Sequence, residues 1–148
     1  MAGKIALING PNLNMLGSRD PEIYGSDTLG SIIDTLTAYA EQAKYELVAV
    51  QSNLEGEVIN AIHEAINTCS GIIINPGGYS HTSIAIRDAV EIASVPVVEV
   101  HLSNIYAREE FRQHSFVSEV ADGVIAGLGS HGYILAFGAL LQLIKNKA

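Results

Sequence analysis

The sequence predicts an α/β fold, a single domain built on a doubly wound, parallel, five-stranded sheet in the order 2-1-3-4-5. Three observations predict it. Short, wholly apolar runs such as Ile5–Ile8 and Gly71–Ile74 recur along the chain, as buried parallel strands require. Segments with helical spacing of apolar residues separate them, giving the strand–helix alternation of a sheet covered on both faces. No internal repeat, low-complexity stretch or linker interrupts the alternation.

The first strand, Ile5–Ile8, empties into a long polar loop, Asn9 to Gly25, that carries Arg19 and Tyr24 between Gly17 and Gly25. Loops of this length in compact domains are commonly functional, and its glycines suit a mobile flap over residues 18–25. Asp27 or Thr28 can cap a helix from about Leu29 to Lys44 whose Leu29, Ile32, Ile33, Leu36 and Tyr39/Ala40 share a face. A short strand, Glu46–Val50, ends in Gln51-Ser52-Asn53, and a helix over Glu55–Asn67 spaces Val58, Ile59, Ile62 and Ile66 for burial. The third strand, Gly71–Ile74, opens into Asn75-Pro-Gly-Gly-Tyr-Ser-His-Thr82, where Ser80 or Thr82 can cap a helix running to about Ala93. Pro96 begins a fourth strand, Val97–Val100. A polar segment with Arg108 and Arg112 leads to a weak strand around Gly123–Ala126. The last helix, Tyr133–Ile144, is apolar enough to be partly buried in an assembly. The proposed order is that of flavodoxin-like sheets, in which ligands bind beyond the carboxyl ends of the strands at the switch point. The polar exits of the first, third and fourth strands become neighbours there.

With 148 residues, 48% of them apolar and 16% charged, the chain can bury a proper core and is remote from disorder. No apolar run approaches the roughly 18 residues needed to span a bilayer, and no signal-peptide pattern is present, so a cytoplasmic location is expected. Cys69 is the sole cysteine, which fits a reducing compartment. A net charge of −8 argues against nucleic acid. The lysines at 4, 44, 145 and 147 lie near element ends, whereas Arg19, Arg108 and Arg112 sit in polar loops where a small anion can bind. Taken singly, an arginine is more often a solvated surface charge.

Glu99 and His101 lie two apart in the fourth strand, so their side chains share a face. A carboxylate there fixes the imidazole tautomer and favours its protonated form; the bland alternative is a structural hydrogen bond at a strand end. Gly77 and Gly78 allow close backbone approach. His81, near a helix N-terminus, is expected to stay neutral and to serve hydrogen bonding. Asp88 falls on the same helical face as His81 but roughly 10 Å along the axis. It therefore serves a long site, a neighbouring subunit, or only solvent. His63 reads as surface, His114 has no special setting, and His131 reads as part of a glycine-rich turn. No cluster has metal-ligand spacing, so no metal is expected. No phosphate loop, GxGxxG or GxSxG motif is present, and no cofactor is expected. What remains is proton chemistry: abstraction beside a carbonyl and acid-assisted loss of a leaving group. Free tyrosine is a weak acid, and a guanidinium close by stabilises its phenolate, so Arg19 and Tyr24 form a plausible base unit.

Four separated motifs resemble type II 3-dehydroquinate dehydratases. They are Gly10-Pro-Asn-Leu-Asn with Gly17-Ser-Arg-Asp-Pro-Glu-Ile-Tyr-Gly25; Gln51-Ser-Asn with Glu55-Gly-Glu57; Asn75-Pro-Gly-Gly-Tyr-Ser-His-Thr-Ser83 with Arg87-Asp88; and Glu99-Val-His-Leu-Ser-Asn104 with Arg108-Glu-Glu-Phe-Arg112. Gly127-Leu-Gly-Ser-His-Gly-Tyr133 extends the likeness over essentially the whole chain. The resemblance implies anti elimination of water from 3-dehydroquinate through an enolate, without metal or Schiff base. It implies that Tyr24 is the base and Arg19 stabilises its phenolate, that Asn12 holds a water at the enolate oxygen, and that His101, oriented by Glu99, is the acid. It further implies substrate binding by Asn75, His81, Arg112, Leu102 and Ser103, with Asp88 reaching in from a neighbouring subunit of a dodecamer built from trimers. Met15, Asp20 and Gly77-Gly78 depart mildly from the family pattern, and none removes a proposed catalytic group. The rivals are a non-catalytic signalling module, a flavin carrier and a related elimination enzyme. Asn9 and Asn75 stand where a receiver domain needs aspartates, and Pro11-Asn-Leu-Asn14 is not a hydroxyl-rich phosphate loop.

Overall fold

The computed structural model describes residues 2–18 and 20–148. Five strands, β1 (Gly3–Asn9), β2 (Tyr45–Gln51), β3 (Gly71–Asn75), β4 (Val97–His101) and β5 (Gly123–Ala126), form one sheet in the order β2-β1-β3-β4-β5. Every pairing is parallel. Parallel neighbours need long crossovers, and helices supply three of them: α2 (Leu29–Gln42), α3 (Glu55–Thr68) and α4 (Ile84–Ile92), while α5 (His131–Lys147) follows β5. A one-turn helix, α1 (Pro21–Tyr24), lies in the loop after β1. Between β4 and β5 the crossover has no α-helix, only 3₁₀ turns at Ile105–Ala107, Glu110–Arg112 and Val117–Glu119.

Side chains alternate across a strand, and the core divides accordingly. Ile5, Leu7, Ile73, Val98 and Val100 pack with α2 and α5. Ala6, Ile8, Ile72, Ile74 and Val97 pack with α3 and α4 on the other face. Helical spacing puts Leu29, Ile32, Leu36 and Ala40 of α2 in the first layer and Val58, Ile62 and Ala65 of α3 in the second. Thr28, one of the two expected caps, accepts from the Ser31 N–H at 3.1 Å. The predicted coverage of both faces holds for the central strands. It fails at the β2 edge, where Tyr45 and Leu47 pack on α2 and α5 while Val48 and Val50 stay exposed on the other face. Much of the apolar character of α5 is used inside the chain, since Tyr133, Ala136, Phe137 and Leu140 are buried against the sheet.

Two corrections concern the β3–α4 connection. Neither Ser80 nor Thr82 caps the helix. Ser83 does, accepting from the Ile86 N–H at 2.9 Å, while Ser80 Oγ donates within its own turn to the Gly77 carbonyl. His81 therefore ends a separate 3₁₀ turn, Gly77–His81, and shares no helical face with Asp88. Likewise His131 is the first residue of α5 and not a turn residue. Among the described residues, no helix is long and apolar enough to cross a membrane.

Candidate active site

The exits of β1, β3 and β4 lie side by side and build one crevice. Its floor depends on close backbone approach. The Gly10 N–H donates to the Asn75 carbonyl at 2.8 Å, and a Cβ on Gly10 would lie 2.4 Å from the Pro76 carbonyl oxygen. Gly77 adopts φ +61°, a region suited to glycine, with its vacant Cβ position 3.1 Å from the Pro11 carbonyl oxygen. Gly78, expected to share this duty, faces open space.

Beneath the floor lies a buried polar chain. Asn75 Nδ2 donates to Tyr133 Oη (2.9 Å), and Tyr133 donates in turn to Asn9 Oδ1 (2.6 Å). Burial pushes the Tyr133 phenol up, more strongly than the Asn75 hydrogen bond lowers it, so Tyr133 stays neutral. Asn75 Oδ1 accepts from the Gly77 N–H at 3.1 Å, which fixes the amide's orientation. Asn9 Nδ2 is left without a partner among the described residues.

Two histidines face the crevice through opposite ring nitrogens. His101 Nε2 donates to Glu99 Oε2 in a very short contact. Glu99 is fully buried, and burial opposes its ionisation. The His101 contact and the hydroxyls of Ser115 and Ser118 outweigh that penalty and hold its carboxyl below the ordinary glutamate range. An ionised carboxylate only accepts, so Nε2 carries a proton and Nδ1 is the His101 nitrogen left for the crevice. In His81, Nδ1 donates to the His114 carbonyl at 2.9 Å, leaving Nε2 as an acceptor. Burial lowers the His81 pKa, with smaller repulsion from His101 and Arg112, which favours the neutral ring. The two rings are nearly parallel, with centroids 6.4 Å apart.

Tyr24, Asn12, Asn75, His81, His101, Leu102, Ser103 and Arg112 all line this crevice. Glu99 stands behind His101. Arg19 lies outside the described residues. Asp88 is not brought in: it is exposed on α4 and pairs with Arg87 at 3.1 Å. Sequence reasoning missed Arg108, whose guanidinium sits 5.1 Å from the Tyr24 ring centroid and donates to Ser103 Oγ at 3.3 Å. It was legible only as one of several loop arginines. Ser115, Ser118, Tyr133 and the His114 carbonyl were also missed. A hydroxyl or a carbonyl carries no sequence signal for which distant group it will meet.

Arg108 and Arg112 make the mouth electropositive despite the acidic chain. Glu109 offsets part of that charge, at 2.8 Å from Arg112 and 3.6 Å from Arg108. A small anionic, hydroxylated molecule suits such a lining. A tyrosine on one wall and a carboxylate-backed imidazole on another suit proton removal and delivery on one substrate.

Comparison with known proteins agrees with this architecture. A sequence model of the family Dehydroquinase class II matches residues 3–141. A 3-dehydroquinate dehydratase of Corynebacterium glutamicum is 54% identical over 145 residues, 98% of this chain and 100% of that protein. The crystal structure of type II dehydroquinase from Propionibacterium acnes superposes with a TM-score of 0.89 at 42% identity, covering 98% of each chain. That from Butyrivibrio crossotus gives 0.91 at 44% identity, covering 94% of this chain and 97% of the other. The chain belongs to the class II dehydroquinase family.

Proposed function

We propose that this chain dehydrates 3-dehydroquinate to 3-dehydroshikimate by anti elimination through an enolate. The observation that carries the reading is the meeting, in one crevice, of Tyr24 under a guanidinium with His101 backed by a buried carboxylate. Family membership supplies the substrate class. In this reading the Tyr24 phenolate removes the proton at C2, and the negative charge passes to the carbonyl oxygen as the enolate. A water held by Asn12 hydrogen-bonds that oxygen. His101, as imidazolium, gives its Nδ1 proton to the departing C1 hydroxyl, which leaves as water with the bonding pair. Arg19, from the same loop, and Arg108, over the ring, stabilise the phenolate. Asn75, His81 and Arg112 bind polar groups of the substrate, with the Leu102–Ser103 turn at its carboxylate.

An imine route needs a lysine at the carbonyl, and among the described residues none lines the crevice. Assembly is part of the proposal: trimers joined into a dodecamer, with Asp88 of one subunit completing the site of another. Ile84, Asp88 and Ile92 form one exposed stripe on α4, and the two isoleucines are 58% and 66% exposed, as a face covered by another copy would be. The reaction serves aromatic biosynthesis or quinate breakdown, and we place it in the cytoplasm. The test is the ultraviolet absorbance of the conjugated enone when purified protein meets 3-dehydroquinate. Turnover that survives borohydride is expected, and absence of turnover by the assembled protein removes the reading.

A further inference from the structure

The segment between β4 and β5 does more than carry Arg112. The Phe116 N–H donates to the Ser80 carbonyl at 2.8 Å, tying the segment to the turn that holds His81. From there Ser115 Oγ donates to Glu99 Oε2 at 2.6 Å and Ser118 Oγ donates to Glu99 Oε1 at 2.5 Å. With His101 Nε2, both carboxylate oxygens are occupied and three donors converge on one buried side chain. Neither serine lines the crevice.

The Glu99–His101 pair can hold one shared proton in two ways. In one, Glu99 is ionised and His101 is an imidazolium whose Nδ1–H is acidic. In the other, Glu99 is a neutral acid donating to Nε2, and His101 is a neutral imidazole whose Nδ1–H is a very poor acid. Both states carry the same number of protons, so bulk pH does not choose between them. Burial favours the neutral state; donors to the carboxylate favour the ionic one. The other groups around Glu99 contribute little. Its registered neighbours are Ile74 on β3 and Val124 on β5, and the core on the α3–α4 side, Val117 included, is apolar. His81 is a further titratable ring that feels Glu99, and it feels the Arg112 charge as well.

We infer that Ser115 and Ser118 are positioning residues that keep the shared proton on His101, and so make it an acid. The inference rests on His101 being the acid of the proposed reaction. The serines act through Glu99 and never touch substrate.

The experiment compares wild type with the Ser115→Ala/Ser118→Ala variant and with Ser118→Thr. Loss of both hydroxyls should lower kcat about tenfold or more while KM changes less than about twofold. Ser118→Thr, which keeps the hydroxyl, should stay near wild type. Infrared spectra at neutral pH, with 13C-labelled glutamate, should show a protonated carboxylic acid band in the double variant and none in wild type. That band should vanish on adding Glu99→Gln. This arm needs no substrate, so it decides the serine claim even if the dehydration assay fails. A folded double variant with no such band, or with KM raised as much as kcat falls, overturns the inference. If the double variant does not fold, Ser118→Ala alone carries the same readouts, with a smaller change in kcat.

Discussion

Removing one oxygen atom from Tyr24 separates its shape from its chemistry. In Tyr24→Phe the ring remains half-buried against the crevice wall, and Arg108 can still sit over its face. Only the proton acceptor is gone. Turnover should fall about 100-fold or more, the lower range of what a general base contributes. Substrate affinity, measured by calorimetry, should change little; substantial residual turnover removes Tyr24 as the base. At this scale the sequence was informative wherever a local rule applied. Two-residue spacing put Glu99 and His101 on one face, and the loop after the first strand announced Tyr24. The rules end where a partner is remote. Ser115 lies 16 residues from Glu99 and Tyr133 lies 124 from Asn9. Local patterning says nothing about such pairs, and Arg108 gained its place over Tyr24 only when two loops were folded against each other.

The crevice depends on loops that touch backbone to backbone. Gly10 is the tightest of these contacts, since any Cβ there would meet the Pro76 carbonyl at 2.4 Å. Gly10→Ala must push the β1 and β3 exits apart or break the Gly10–Asn75 hydrogen bond. A loss of about 1–3 kcal/mol in chemical denaturation is expected, together with weaker substrate binding, because Asn75 shifts with the loop. Wild-type stability would mean that the loops move apart freely. The elements themselves were largely readable: apolar runs gave the strands, and 3.6-residue spacing gave the helices. The errors fell at junctions. Three serine or threonine residues lie between Tyr79 and Ile84, and which of them caps α4 depends on where the preceding 3₁₀ turn stops. The bare half of β2 was invisible for a related reason, because Leu47-Val-Ala-Val50 reads alike whether or not a helix covers it.

At the scale of the whole molecule, the proposal is that a second copy completes the crevice. Within one chain Asp88 is turned out to solvent beside Arg87, on the same exposed stripe as Ile84 and Ile92. Among the described residues Ile84 and Ile92 stay exposed. If α4 packs against a second copy, burying two isoleucines there favours association, at about 25 cal/mol per Å² of apolar surface removed from water. The same contact would carry Asp88 to the neighbour's crevice. The prediction is a complementation. Asp88→Ala and Tyr24→Phe should each be nearly inactive as pure oligomers. After unfolding and refolding together, some sites combine an intact Tyr24 from one variant with an intact Asp88 from the other, and those sites should turn over. Activity should rise with the mixing ratio to a maximum near equal amounts, a pattern that neither pure variant nor an unmixed blend can give. Mixed oligomers verified by mass, yet silent at every ratio, would place Asp88 outside its neighbour's site and leave the α4 stripe as an assembly contact alone.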